Sequence, residues 1–245
     1  MGPGGLWGPA GVIARTTAVV EPDGVLGEVR CAPPLTLRQV RGSGPDGARR
    51  CELRLVGTAA GPLAGDDLAL SLTLRAGARA TLRAAGASVA QGGGGERTLA
   101  IRAELGQGAD LIAEPGTLVA CAGSRTEVRV EVALGAGAAV DWRELIVLGR
   151  TGEPPGRVAL RWDVTRGGKP VLRQFADLSP GLRGLTAGKR VLACALISDP
   201  ARAARTVVGS PLAVAQRVDE HTRLVTVLED DAAGAVRLLG QLCAV

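Results

Sequence analysis

Aromatic side chains are almost missing from this 245-residue chain: Phe175 is the sole Phe, there are three Trp, and Tyr is absent. The core must therefore be built from Leu, Val, Ile and Ala. Binding of single-stranded nucleic acid, which relies on aromatic platforms for the bases, is not expected. Histidine is as scarce. With His221 alone and no G-x-S-x-G around any serine, a Ser/His/Asp hydrolase is not expected either. Lysine is confined to Lys169 and Lys189, so 27 of the 29 basic residues are Arg. These are interleaved with Asp and Glu, and the net charge of +5 gathers into no basic stripe of the kind that tracks a nucleic acid. The five Cys are odd in number, widely spaced and never in a C-x-x-C pair, which argues against a disulfide framework and a zinc site and for a reducing cytoplasm. The longest uncharged run, residues 1–14, is interrupted by Gly and Pro and lacks a basic leader, so neither export nor membrane spanning is indicated. Trp7 sits in this Gly/Pro-rich arm.

Nucleotide fingerprints are missing too. The stretch from Gly184 to Lys189 has three residues between its glycines where a phosphate loop needs four, and Arg190 follows where Ser or Thr belongs. No G-x-G-x-x-G follows a strand pattern.

Glycine and proline are abundant, 36 and 14 residues, which suits short strands joined by turns and disfavours a helical bundle. From Asp66 onward a period of two appears: Leu68, Leu70, Leu72 and Leu74 alternate with small or polar residues before a turn at Gly77-Ala78. The device returns with Leu99, Ile101, Ala103 and Leu105 before Gly108-Ala109, and with Val128, Val130, Val132 and Leu134 before Gly137-Ala138. The turns recur at about 30 residues, and each is followed by another apolar stretch. One such unit cannot bury its apolar face alone, so the copies must stack. The expected fold is all-β with few short helices, as a β-helix-like or layered-sandwich stack of strands. It is read as a single domain over residues 1–245, with 92–95 as a surface hairpin loop. Further expected strands are 158–164 and 171–175 as a hairpin about Gly167-Gly168, then 190–197, 212–218 and 224–228. A short helix is expected at 200–205, and a strand pair containing Val12, Val19, Val25 and Val29 should feed the repeats.

Carboxylates are the remaining source of chemistry: Asp66 with Asp67, Asp141 with Glu144, Glu153, Asp163, Asp177, and the run Asp219-Glu220-His221. Paired acids can serve a glycosidase or hold a metal ion. In the run ending at His221, however, adjacent residues on a strand point to opposite faces. Trp142 and Trp162 fall in strand patterns and read as packing residues. Arg125 and Arg150 are turn-adjacent charges that could serve a partner surface.

Several segments together resemble the UreD/UreH family of urease accessory proteins. They are Gly61-Pro62-Leu63-Ala64-Gly65-Asp66, Leu74 to Ala78, Ala122-Gly123-Ser124-Arg125, and Glu144-Leu145-Ile146-Val147-Leu148-Gly149-Arg150 with Gly152-Glu153 after it. The likeness is strongest over residues 25–200. It implies a non-enzymatic, helically wound β scaffold that joins an F-type accessory protein and a G-type GTPase nickel carrier to apo-urease. It further implies no permanently bound cofactor, with nickel in transit through an internal passage. Joined to the carboxylate inventory, it makes Asp66, Glu144 and Glu153 the expected lining of that passage at strand ends, with Arg125 and Arg150 as partner contacts. The chain departs from the family pattern in two places. Arg83-Ala84-Ala85-Gly86-Ala87-Ser88-Val89 replaces a Thr-Thr-Gln-Ala stretch ending in Thr-Lys, and Ile112 and Gly116 stand where Glu and Asp are usual. Two other readings compete: a hydrolytic or carbohydrate-binding β-solenoid using a carboxylate pair, and a purely structural assembly module.

The cysteine pattern carries a direct check: thiol titration of freshly purified, denatured protein should count five free thiols, and a count of one or none would refute the reduced state.

Overall fold

The computed structural model describes residues 11–40, 49–181 and 186–244. Trp7 and part of the 184–189 stretch lie outside them. The described residues form two sheets and one helix. Its strands are β1 (Ile13–Val20), β2 (Leu26–Arg30), β3 (Leu35–Val40), β4 (Cys51–Gly57), β5 (Asp67–Leu74), β6 (Arg79–Ala84), β7 (Ser88–Ala90), β8 (Glu96–Leu105) and β9 (Asp110–Glu114). They continue with β10 (Thr117–Ala120), β11 (Arg125–Leu134), β12 (Ala139–Leu148), β13 (Arg157–Arg166), β14 (Lys169–Asp177), β15 (Val191–Ser198), β16 (Val207–Ser210), β17 (Ala213–Arg217) and β18 (Thr222–Glu229). The helix is α1 (Ala232–Cys243).

The 30-residue repeat is one rung of a two-sheeted parallel solenoid. In each rung the first strand enters one sheet, the Gly-Ala turn makes the corner, and the second strand enters the other. Thus β1, β5, β8, β11 and β13 run parallel in one sheet, while β4, β6, β9 and β12 run parallel in the second. Antiparallel strands finish both sheets: β2 and β14 edge the first, and β3 on one side and β15, β18, β17 and β16 on the other extend the second. At the corners Gly77, Gly108 and Gly137 have φ of 72°, 66° and 67°, a region that L side chains avoid. The next residue, Ala78, Ala109 or Ala138, turns inward and is buried.

Register turns the alternation into continuous columns. Leu70, Ile101, Val130 and Trp162 are successive partners in the first sheet, as are Leu53, Leu82, Ala113 and Trp142 in the second. All are buried. Trp142 and Trp162 meet across the interior with centroids 6.4 Å apart and planes at 76°, an edge-to-face arrangement that favours aromatic pairs. Each fully buried aliphatic side chain contributes about 1.5–3 kcal/mol. The outward residues of the first sheet form Arg–carboxylate ladders, such as Arg102–Glu131 at 2.7 Å and Arg129–Glu127 at 2.6 Å. Exposed pairs of this kind add only about 0–1 kcal/mol each, so the ladders keep the face soluble more than they stabilise it.

Helix α1 covers the outer face of the second sheet over β15, β17 and β18. There Ala235, Leu239 and Leu242 pack with Val191, Ala193, Ala195, Val225 and Val227 in a second apolar cluster. Asp231 caps its start by accepting the Gly234 N–H at 2.8 Å. Its last turn carries no basic residue of its own. Arg223 of β18 supplies the charge instead, donating to the Cys243 carbonyl at 2.5 Å.

The all-β, stacked-strand expectation holds, with three local corrections. Residues 200–205 form a turn and no helix, because the Ala204 N–H goes across to the Glu220 carbonyl and leaves no intrahelical ladder. Residues 92–95 do not close a hairpin: β7 and β8 lie in different sheets, and the segment is a corner of the solenoid. Helix α1 and strands β3 and β4 were not anticipated.

The two-faced reading of the rungs predicts unequal costs on neighbouring strands. Leu70→Ala should lose about 2–5 kcal/mol in urea unfolding, and Arg102→Ala less than about 0.5 kcal/mol. Similar losses for both would contradict the assignment of faces.

Candidate functional site

The inward phase of β12 runs Val140, Trp142, Glu144, Ile146, Leu148, so a carboxylate stands in a column of core residues. Glu144 is 7% exposed, and its Oε1 accepts the Trp142 indole N–H at 2.7 Å. Burial pushes its pKa up to about 7, and the indole hydrogen bond only partly opposes this. Cys194 is the direct partner of Glu144 on β15 and also faces inward. Burial raises that thiol to about 12, with the Glu144 charge adding to the effect.

Glu144 lies where the wall of the solenoid is broken. Strand β12 pairs with β9 through Trp142 and with β10 from Leu145 onward, leaving Arg143 and Glu144 opposite the gap between those two strands. The same interruption separates β6 from β7 in the rung below. Gly116 sits in the gap with φ 111°, and a Cβ there would come within 2.7 Å of the Ala84 side chain, so only glycine fits. Outside the seam a cavity of about 300 Å³ is lined by Arg83, Glu114, Thr117, Glu144 and the Val236 side of α1. Of the departures from the family pattern, residues 83–89 and Gly116 fall on this seam, whereas Ile112 lies within β9, paired with Asp141.

The structure does not bring the three expected carboxylates together. Asp66 is buried just before β5, where its two oxygens accept the Val12 and Leu63 N–H groups at 2.8 Å each and tie the preceding loop to β1. Glu153 lies in the turn after β12. Above all, the Arg150 N–H, at 3.1 Å, holds its carboxyl below the usual range, with the Ala122 N–H helping. Glu144 is in mid-strand, so the expectation that all three stand at strand ends is corrected for that residue. Among the described residues, no group of three or more His, Cys, Asp or Glu could hold a metal ion. Arg125 is exposed at the start of β11, beside a hollow it shares with Arg157 and Phe175, and its side chain has no hydrogen bond or ion pair among the described residues. Arg150 is exposed, and its carbonyl accepts from Arg190 at 2.8 Å. His221 is half-buried beside the Arg202 carbonyl, 3.3 Å from its Nδ1.

Arg97 was missed. It is 2% exposed and threads the loop end of the solenoid, donating to the carbonyls of Pro62 (3.4 Å), Gly95 (3.1 Å) and Gln91. Burial lowers its pKa, opposed by the nearby Asp66 charge. Its signal was available, since Arg97 is in phase with Leu99, Ile101 and Ala103.

The geometry defines a two-sheeted parallel β-solenoid with a carboxylate and a thiol buried behind a seam in one wall. Comparison with known proteins gives the family: the model for the UreD urease accessory protein matches residues 15–245, and the chain belongs to that family. It is 35% identical over 268 aligned positions to the urease accessory protein UreD of Parafrankia sp., covering 96% of this chain and 89% of that protein. It is 34% identical over 186 positions to urease accessory protein UreD 1 of Saccharopolyspora erythraea, covering 72% and 73%. A urease accessory role follows from this membership.

A raised carboxyl pKa makes stability depend on pH in a defined direction. Between the ordinary Glu value and about 7 the folded state binds more protons than the unfolded one, so stability falls as pH rises through that window. Glu144→Gln keeps an acceptor for Trp142 and removes the titration. Its melting temperature should exceed that of the parent by roughly 3 °C or more at pH 8 and match it near pH 4; a difference that does not change with pH would refute the assignment.

Proposed function

We propose that this protein is a non-catalytic scaffold in urease maturation that joins an F-type accessory protein and a G-type GTPase nickel carrier to apo-urease in the cytoplasm, and that nickel passes through its interior at Glu144. One observation supports the passage above all: a carboxylate held inside an apolar solenoid, behind the break in the β9/β10 wall and at the foot of an outer cavity. An inward acid costs stability unless something solvates or binds it, so its presence asks for a function. The neighbouring Cys194 gives the spot two protein donors, one hard and one soft. A divalent ion held by so few ligands keeps most of its water and leaves readily, as cargo must. Asp66 and Glu153, each engaged with backbone N–H groups, suit the ends of such a route less well than Glu144 suits its middle.

Reconstituted activation of apo-urease tests this. Glu144→Gln should slow nickel loading about tenfold, read by metal content of the urease, while capture of the accessory proteins and urease is unchanged. Loading at the parental rate would overturn the passage through Glu144, and loss of partner capture in the parent protein would overturn the scaffold.

A further inference from the structure

A second groove lies away from Glu144, on the outer face of the second sheet at its turn end. Its volume is about 720 Å³, within the range of specific binding pockets. The stacked corners around Gly108 and Gly137 form one wall, loop 199–205 the other, and the last residue of α1, Cys243, closes one end.

Charge is distributed unevenly in it. Arg79, Arg202, Arg205 and Arg223 line the groove together with Asp110, Asp141 and Asp199. Two of those acids are answered by arginines that do not line it: Asp110 by Arg50 at 2.5 Å, and Asp141 by the Nε and Nη2 of Arg143 at 2.9 and 2.7 Å. Asp199 accepts the Ala201 N–H at 2.9 Å and stands 3.5 Å from Arg202. Each of the three acids thus already faces an arginine within 3.5 Å. Arg205 is exposed, and its side chain makes no hydrogen bond or ion pair among the described residues. Arg223 is 7% exposed and held at the helix end. Between these charges lie apolar surfaces from Ile197, Pro200 and Ala203. A bare inorganic anion gains nothing from such surfaces, whereas a peptide that alternates acidic and aliphatic side chains uses both.

We propose that this groove docks an acidic segment of a partner protein, its carboxylates on Arg202 and Arg205 and its aliphatic side chains on Ile197 and Pro200. The surface does not depend on nickel passage. A defect here would appear in partner affinity, and a defect at Glu144 in metal loading.

The test is fluorescence anisotropy on the full chain with a short labelled peptide alternating Glu and Leu. A Lys/Leu version and inorganic phosphate serve as the other probes. At low salt the acidic peptide should bind and the Lys/Leu peptide should not, with affinity falling as salt is raised. Arg202→Glu/Arg205→Glu should weaken binding by about tenfold or more. Both substitutions lie on exposed turn residues, and an unchanged melting curve confirms that the variant is folded. Should the double variant melt early, Arg205→Ala alone replaces it and should still weaken binding measurably. Parental affinity in a folded variant, equal binding of the two peptides, or displacement of the Glu/Leu peptide by phosphate as effectively as by excess unlabelled peptide would each overturn the proposal.

Discussion

In-register stacking of parallel rungs is the constraint on which the rest of this structure depends. Because β5, β8, β11 and β13 pair without slippage over their length, a residue on the inward phase of one rung lies above an inward residue of the next. A slip of one residue would turn an entire column to solvent, so the apolar interior and the register enforce each other. Tight corners make this possible. A left-handed glycine followed by a buried alanine occupies the same place in three successive rungs, which keeps the rungs equal in length and their columns aligned.

The same constraint explains why the second sheet can be broken without unfolding. Its rungs are interrupted after β6 and after β9, yet β12 runs straight past the gap and is paired on its far side by β15 along nearly its whole length. The interruption therefore costs little ladder and opens the wall beside one inward side chain. At most positions an inward acid would be a defect. Here it sits beside an indole N–H and behind a surface cavity.

The two outer faces divide other tasks. On the first sheet, arginine and carboxylate ladders leave a polar wall with free edges at β14 and β2. On the second, α1 hides part of the face and, where it ends, frames the arginine-lined groove with the 199–205 loop. The scarcity of Lys matters there: guanidinium groups stack, fork and pair with two partners at once, and nearly every carboxylate contact in this molecule uses one.

Periodicity alone determined the β-rich class, the 30-residue rung and the inward columns of β5, β8, β11 and β13, because alternation and turn chemistry are local properties of the chain. It also contained the clue to Glu144 and Arg97, each in phase with core residues, although acids and arginines are ordinarily assigned to the surface. Asp66 shows the opposite case: a residue at the end of the best-matched motif proved to hold two backbone N–H groups that come from separate loops. Only the tertiary structure could decide that corners, and not hairpins, join the repeated strands, since a tight turn reads the same whether its arms pair with each other or with the rungs above and below. It alone set Cys194 opposite Glu144, 50 positions apart in sequence, and gathered Arg79, Arg202, Arg205 and Arg223 around one groove. Such neighbours are created by stacking, and no property of either segment by itself encodes them.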